Sequence, residues 1–200
     1  GHDEHKEHGH DEHKEHGHKE KKHKDHGHEG HDHGEYDPHI WLDPMNAKII
    51  VKEIENQLVK LDPDNSSKYK ANSKKAQSKL DNLTKNIKKD LKKDLRFVVF
   101  HDAYQYFENR FNIKVLGALT VNPDILPGAE QLAEIREVIE HEKVNCLFSE
   151  PQFNPAIIKS IAKDTKVKTG VLDPLGATLD KSKDMYFKLV RNIYASFKGC

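Results

Sequence analysis

The first 34 residues carry no hydrophobic side chain, and the apolar pattern begins only at Tyr36. The stretch DPHIWLDP, residues 37–44, then places two Asp-Pro pairs around His39 and Trp41. Each proline fixes its own φ and pushes the preceding residue out of the helical region, so this stretch is expected to be stiff, extended and non-helical. Asp43 reads as a helix N-cap with Pro44 at the first helical position. A helix follows to about residue 61, with Ile49, Ile50, Ile54, Leu58 and Leu61 on one face. Asp62-Pro63-Asp64 breaks it. A Lys-rich helix then runs to about residue 95 on a thin apolar stripe of Tyr69, Ala76, Leu80, Leu83, Ile87 and Leu91. Such a stripe suits a helix that lies across a surface or bridges two lobes.

Past residue 95 the pattern turns to strand–helix alternation. Strands are predicted at 97–100, 113–119, 144–149 and 167–172, and helices at 103–111, 128–142, 155–163 and 181–197. Four βα units with short connections predict an α/β lobe, a four-stranded parallel sheet covered by helices.

Composition changes this picture at one end only. The chain is 35% hydrophobic and 33% charged, an average lowered by the head, and the remaining residues have the apolar fraction of an ordinary packed domain. Net charge is zero. The head is acidic and the body slightly basic with its charges mixed, which is no footprint for nucleic acid. No apolar run is long enough to span a bilayer. With neither an initiating Met nor a signal peptide, the chain is expected to begin inside a longer protein. Cys146 and Cys200 form no CxxC pair, which excludes a zinc finger or thioredoxin-type motif. Whether they are free thiols or a bridge depends on the compartment.

The head is a decaying repeat: HDEHKEHG at residues 2–9 recurs at 10–17 and degenerates through residue 34. It holds His2, His5, His8, His10, His13, His16, His18, His23, His26, His28, His31 and His33, twelve of the fifteen histidines. Without apolar side chains it is expected to be disordered until a ligand binds. Imidazoles beside carboxylates suit Zn, Ni or Cu at low affinity. A linker or purification tag is the plainer reading, although a tag is usually an unbroken His run.

Ligands in open parallel sheets gather at the carboxyl ends of strands. Those ends carry His101-Asp102, Glu150-Pro151 and Asp173-Pro174. His101 could be a core histidine, but Asp102 reads as the N-cap of the next helix, which leaves the imidazole at the cleft rim. His39 sits in a rigid stretch suited to a preorganised metal ligand, Asp173 is a further metal candidate, and His141 reads as solvated. Glu150 and Asp173 could each simply cap or orient a loop, and Glu150 is the weaker candidate for a metal contact. The chain lacks GxxxxGK[ST], HExxH and GxSxG, so a metal-inserting GTPase and the common zinc-protease and serine-hydrolase signatures fail. A metallohydrolase built from His39, His101 and Asp173 with Glu150 as base stays open as the enzyme alternative.

The order His-rich acidic segment, DPHIWLDP, Lys-rich helix, VVFHDAYQYF, SEPQF and LDPLG resembles the zinc-specific solute-binding proteins of bacterial ABC importers, the ZnuA type of metal-binding cluster A-I. The resemblance covers essentially the whole chain. It implies two α/β lobes joined by a long rigid helix, with one metal ion between them. On that footing residues 1–34 are a metal-binding loop, 35–62 the end of the N-terminal lobe, 63–95 the linking helix and 96–200 the C-terminal lobe, a fragment lacking most of the first lobe. The family's ligands map to His39 and His101, and to Asp173 through the manganese-binding relatives, which carry Glu at the position of His101. A further His ligand belongs to the missing region. The resemblance also implies a disulfide between Cys146 and Cys200, Zn²⁺ as the bound ion, a periplasmic location, a monomer, and an inner-membrane ABC permease with its ATPase as partners. It implies no enzymatic activity. A His-rich storage or buffering protein is the runner-up, and would show weak multi-site binding without one tight site.

Overall fold

The computed structural model describes residues 37–91, 94–122 and 124–200; the His-rich head, with the assignments made for it, lies outside the described residues. The chain runs through α1 (Pro44–Leu61), α2 (Ser66–Asp90), β1 (Phe97–His101), α3 (Gln105–Phe111), β2 (Val115–Thr120), α4 (Ala129–His141), β3 (Cys146–Ser149), α5 (Ala156–Thr165), β4 (Lys168–Val171) and α6 (Met185–Lys198). The four strands are parallel in the order β2-β1-β3-β4. Central β1 is buried along its whole length, as an apolar strand covered on both faces must be. Its alternation feeds two cores. Phe97 and Val99 join residues of α1, α2, α3 and α6 on one face, and Val98 and Phe100 join α4 and α5 on the other.

Aromatic packing ties α6 to the sheet. The Phe197 ring lies 4.5 Å from Phe97 and 5.4 Å from both Phe148 and Phe107. One turn further on, Cys200 bridges to Cys146 at the start of β3, with a Cα–Cα distance of 5.9 Å. No helix among the described residues is long and apolar enough to cross a membrane.

Four expectations change. DPHIWLDP is not wholly extended, because Ile40–Leu42 forms one 3₁₀ turn between the two prolines, closed by Leu42 N–H donating to His39 O at 3.1 Å. Three residues are enough for an i→i+3 bond and too few for an α-turn to continue. Asp102 is not the N-cap of α3. Its N–H instead donates to Thr120 O at 3.1 Å, which extends the β1–β2 ladder, and the helix starts only at Gln105 with Tyr104 at the cap position. Helix α2 stops at Asp90, where Leu91 turns extended and is buried in the core. Finally, the apolar face of α1 has the predicted composition but is open to solvent: Ile49 is 69% exposed, Ile54 52% and Leu61 81%. The opposite side of α1 packs on α2, through contacts that include the 2.7 Å Lys48–Asp81 ion pair.

Candidate metal centre

Three of the residues singled out from the sequence sit at or just beyond the carboxyl ends of strands: His101 closes β1, Glu150 follows β3 and Asp173 follows β4. His39 arrives from outside the sheet, on the segment leading into α1, and this segment is pinned on several sides. Arg110 of α3 donates from Nε and Nη2 to the two Asp43 carboxylate oxygens, each at 2.7 Å. Asp43 also accepts from Met45 N–H at 2.8 Å, the N-cap read from the sequence. Trp41 Nε1 donates to Pro174 O at 2.9 Å, the Tyr186 hydroxyl to Trp41 O at 2.8 Å and the Tyr106 hydroxyl to Asp37 O at 3.1 Å. Bonds to α3, α6 and the β4 loop therefore hold the turn before any ligand arrives.

The result is an imidazole pair. The His39 and His101 ring centres lie 5.0 Å apart at an interplanar angle of 71°, with side chains only 13% and 11% exposed. Two imidazoles on one tetrahedral Zn²⁺, with Zn–N bonds of about 2.0–2.1 Å, have ring centres about 5 Å apart. The pair thus fits a shared zinc ion in both chemistry and spacing. Among the described residues, no group of three or more His, Cys, Asp or Glu side chains is placed to hold a metal. A tetrahedral zinc site takes four ligands, and the described residues bring together one pair of imidazoles.

Carboxylates back both rings. Asp37 Oδ1 accepts from the His39 backbone N–H at 2.9 Å and lies 2.7 Å from His39 Nδ1. Glu150 Oε1 is 3.8 Å from His101 Nδ1 and accepts the Tyr104 hydroxyl at 3.2 Å. Burial first, and the facing Glu150 second, push the Tyr104 hydroxyl well above its ordinary range, so it remains a donor. Glu150 is therefore a buried partner within the cluster rather than a loop cap. Asp173 is engaged by its own surroundings: Oδ1 accepts from Gln152 Nε2 and Ala177 N–H, and Oδ2 from the Thr178 N–H and hydroxyl, at 2.8–3.0 Å. Desolvation would raise its pKa, but these four donors hold it below the ordinary value. His141 is exposed, as expected.

Sequence reasoning missed Asp37 and Glu108. The first had a signal, since an Asp two residues before a backbone N–H commonly forms an Asx turn. The second had none. Glu108 Oε2 accepts Val115 N–H at 2.7 Å. Burial, with the Asp102 and Asp37 charges adding to it, raises its carboxyl to about 7 from an ordinary value of 4.5. The folded state thus binds more protons than the unfolded chain between pH 4.5 and 7, and stability falls as pH rises through that window. Glu108→Gln keeps an acceptor for Val115 and removes the ionisation. It is expected to add about 2 kcal/mol at pH 8 and nothing near pH 4, a ceiling near 3 kcal/mol being reduced by partial solvent access. Denaturant melts of both proteins at the two pH values check this.

The sequence profile of the ZnuA family, the periplasmic component A of zinc-uptake complexes, matches residues 2–200. The high-affinity zinc uptake system protein ZnuA of Brucella abortus is 46% identical over 169 residues, which cover 84% of this chain and 51% of that protein. The solved laminin-binding protein Lmb of Streptococcus agalactiae, described as a bifunctional protein with adhesin and metal transporting activity, superposes with a TM-score of 0.72 at 31% identity, covering 81% of this chain and 64% of that one. A Zn(II)-bound mutant of AdcAII from Streptococcus pneumoniae gives a TM-score of 0.68 at 28% identity, covering 81% and 62%. The chain spans about half the length of the curated relative.

Proposed function

The chain belongs to the ZnuA family of periplasmic zinc-uptake components, and on that premise we propose that the protein containing it captures a single Zn²⁺ between two lobes and delivers it to an ABC permease, energised by its ATPase, for import. The observation that carries this reading is the His39–His101 pair, one ring buried and the other largely enclosed, at a spacing suited to one zinc ion. Both imidazoles are ligands in this proposal, and the remaining positions are filled from Asp173 or from the half of the protein beyond this chain. The bound zinc is cargo, and no covalent step is required.

The same reading assigns residues 35–62 to the end of an N-terminal lobe, 63–95 to the linking helix and 96–200 to the C-terminal lobe. The exposed stripe on α1 supports that division, because isoleucines and leucines in register along a helix need a covering surface. The twelve head histidines act as a low-affinity collector. A periplasmic, monomeric carrier completes the proposal.

Titration of the full-length protein against a competing chelator tests it. One tight zinc equivalent followed by a weak multi-site tail is expected, and deletion of residues 1–33 should remove the tail while leaving the tight site unchanged. A tail with no tight equivalent would instead describe a buffering protein.

A further inference from the structure

Asp37 and Glu150 are the two buried carboxylates beside the imidazole pair, and Asp37 makes the closer contact, at 2.7 Å against 3.8 Å. Its side chain is 2% exposed, and Oδ1 alone meets both the backbone N–H and the ring Nδ1 of His39. Its Oδ2 is also buried and has no hydrogen-bond partner among the described residues. A buried carboxylate oxygen without a protein donor is costly, and its position calls for a physical reason.

We propose that Asp37 is a positioning residue that fixes His39 as the Nδ1–H tautomer, leaving Nε2 unprotonated to bind the metal; this rests on the zinc-site reading above. A carboxylate oxygen only accepts, so its 2.7 Å contact with Nδ1 requires the proton on that nitrogen. A neutral imidazole has one proton, and Nε2 therefore keeps its lone pair. The backbone bond to the same oxygen fixes where that carboxylate stands relative to the ring. The two bonds thus set orientation as well as tautomer. When a divalent cation takes the Nε2 lone pair, the Nδ1–H becomes a stronger donor, and the negative carboxylate strengthens the contact in the loaded state more than in the empty one. Asp37 accordingly acts mainly on zinc release. Glu150 stands in a looser version of this relation to His101, at 3.8 Å rather than 2.7 Å.

The test uses the full-length protein, with ¹H–¹⁵N spectra of the zinc-free histidine side chains and chelator competition with zinc alone. His39→Ala assigns the His39 signals. In the unmodified protein His39 is expected as the Nδ1–H tautomer. Asp37→Ala should release it towards the Nε2–H form and weaken zinc binding about 10- to 100-fold, chiefly through faster dissociation. Asp37→Asn keeps an acceptor oxygen, and is expected to retain the tautomer and recover most of the affinity. A proton on Nε2 of His39 in the unmodified protein would overturn the proposal, as would unchanged zinc affinity in Asp37→Ala. If His39→Ala itself left tight zinc binding intact, the zinc-site reading would fall and this proposal with it. Dependence on His39 without dependence on Asp37 would remove this proposal alone.

Discussion

Replacing Cys146 and Cys200 with serine is expected to cost about 4 kcal/mol of unfolding free energy. The two cysteines are 54 residues apart in sequence, and the chain-entropy scaling for a closed loop of that size gives about 4 kcal/mol, since the cross-link mainly restricts the unfolded chain. Position also matters. Cys146 lies in β3, paired with β1 on one side and β4 on the other, and Cys200 follows α6. The bond therefore anchors the final helix to the middle of the sheet. Phe197 remains packed against Phe97, Phe148 and Phe107 without it, so the variant should fold while losing stability. A fall in Tm of roughly 8–16 °C corresponds to that cost in a protein of this size. Denaturant melts of protein oxidised in its native compartment, with and without reductant, measure the effect directly. A difference below about 1 kcal/mol would show that the bridge adds little beyond the α6 packing.

Removing His101 should be the most damaging change to zinc binding. Structural zinc sites bind with about 10–16 kcal/mol, which over four ligands puts roughly 3 kcal/mol on each, or about 100-fold in affinity. His101→Ala is expected to lose at least that, because the Glu150 carboxylate behind the ring would also lose its imidazole neighbour. His101→Glu should weaken zinc less and narrow the preference for zinc over manganese, since an oxygen donor suits the harder ion. The intrinsic order of affinities still favours zinc, so no reversal is expected. His141→Ala, on the exposed end of α4, should do neither. Calorimetric titration of the three variants with both metals separates these outcomes. Unchanged zinc affinity in His101→Ala would remove that residue from the site.

Much of this was legible from local signals. Asp43, Pro44 and the break at Asp62-Pro63 set both ends of α1, because capping and proline geometry act within a few residues. The short apolar runs marked all four strands, and the strand-end rule picked out His101, Glu150 and Asp173. What the sequence did not disclose depends on distant neighbours. The periodicity of α1 marked an apolar face but not what covers it, and among the described residues that face is open. Asp102 looked like a cap because its residue type favours one, yet its backbone N–H bonds to Thr120 of β2 just past the end of β1, and the helix starts only at Gln105. Glu108 reads as an ordinary surface acid until the fold buries it near Asp102 and Asp37. Asp37 looked like one half of an Asp-Pro pair, and its role emerges only once the turn folds His39 back onto it.

X-ray absorption on the full-length protein loaded with one equivalent of zinc tests the central claim most directly. The account predicts about four nitrogen and oxygen neighbours near 2.0–2.1 Å, with multiple-scattering features from at least two imidazoles, and the loss of one imidazole in each of His39→Ala and His101→Ala. An unchanged spectrum in both variants would show that the tight zinc ion is held elsewhere and would contradict the account.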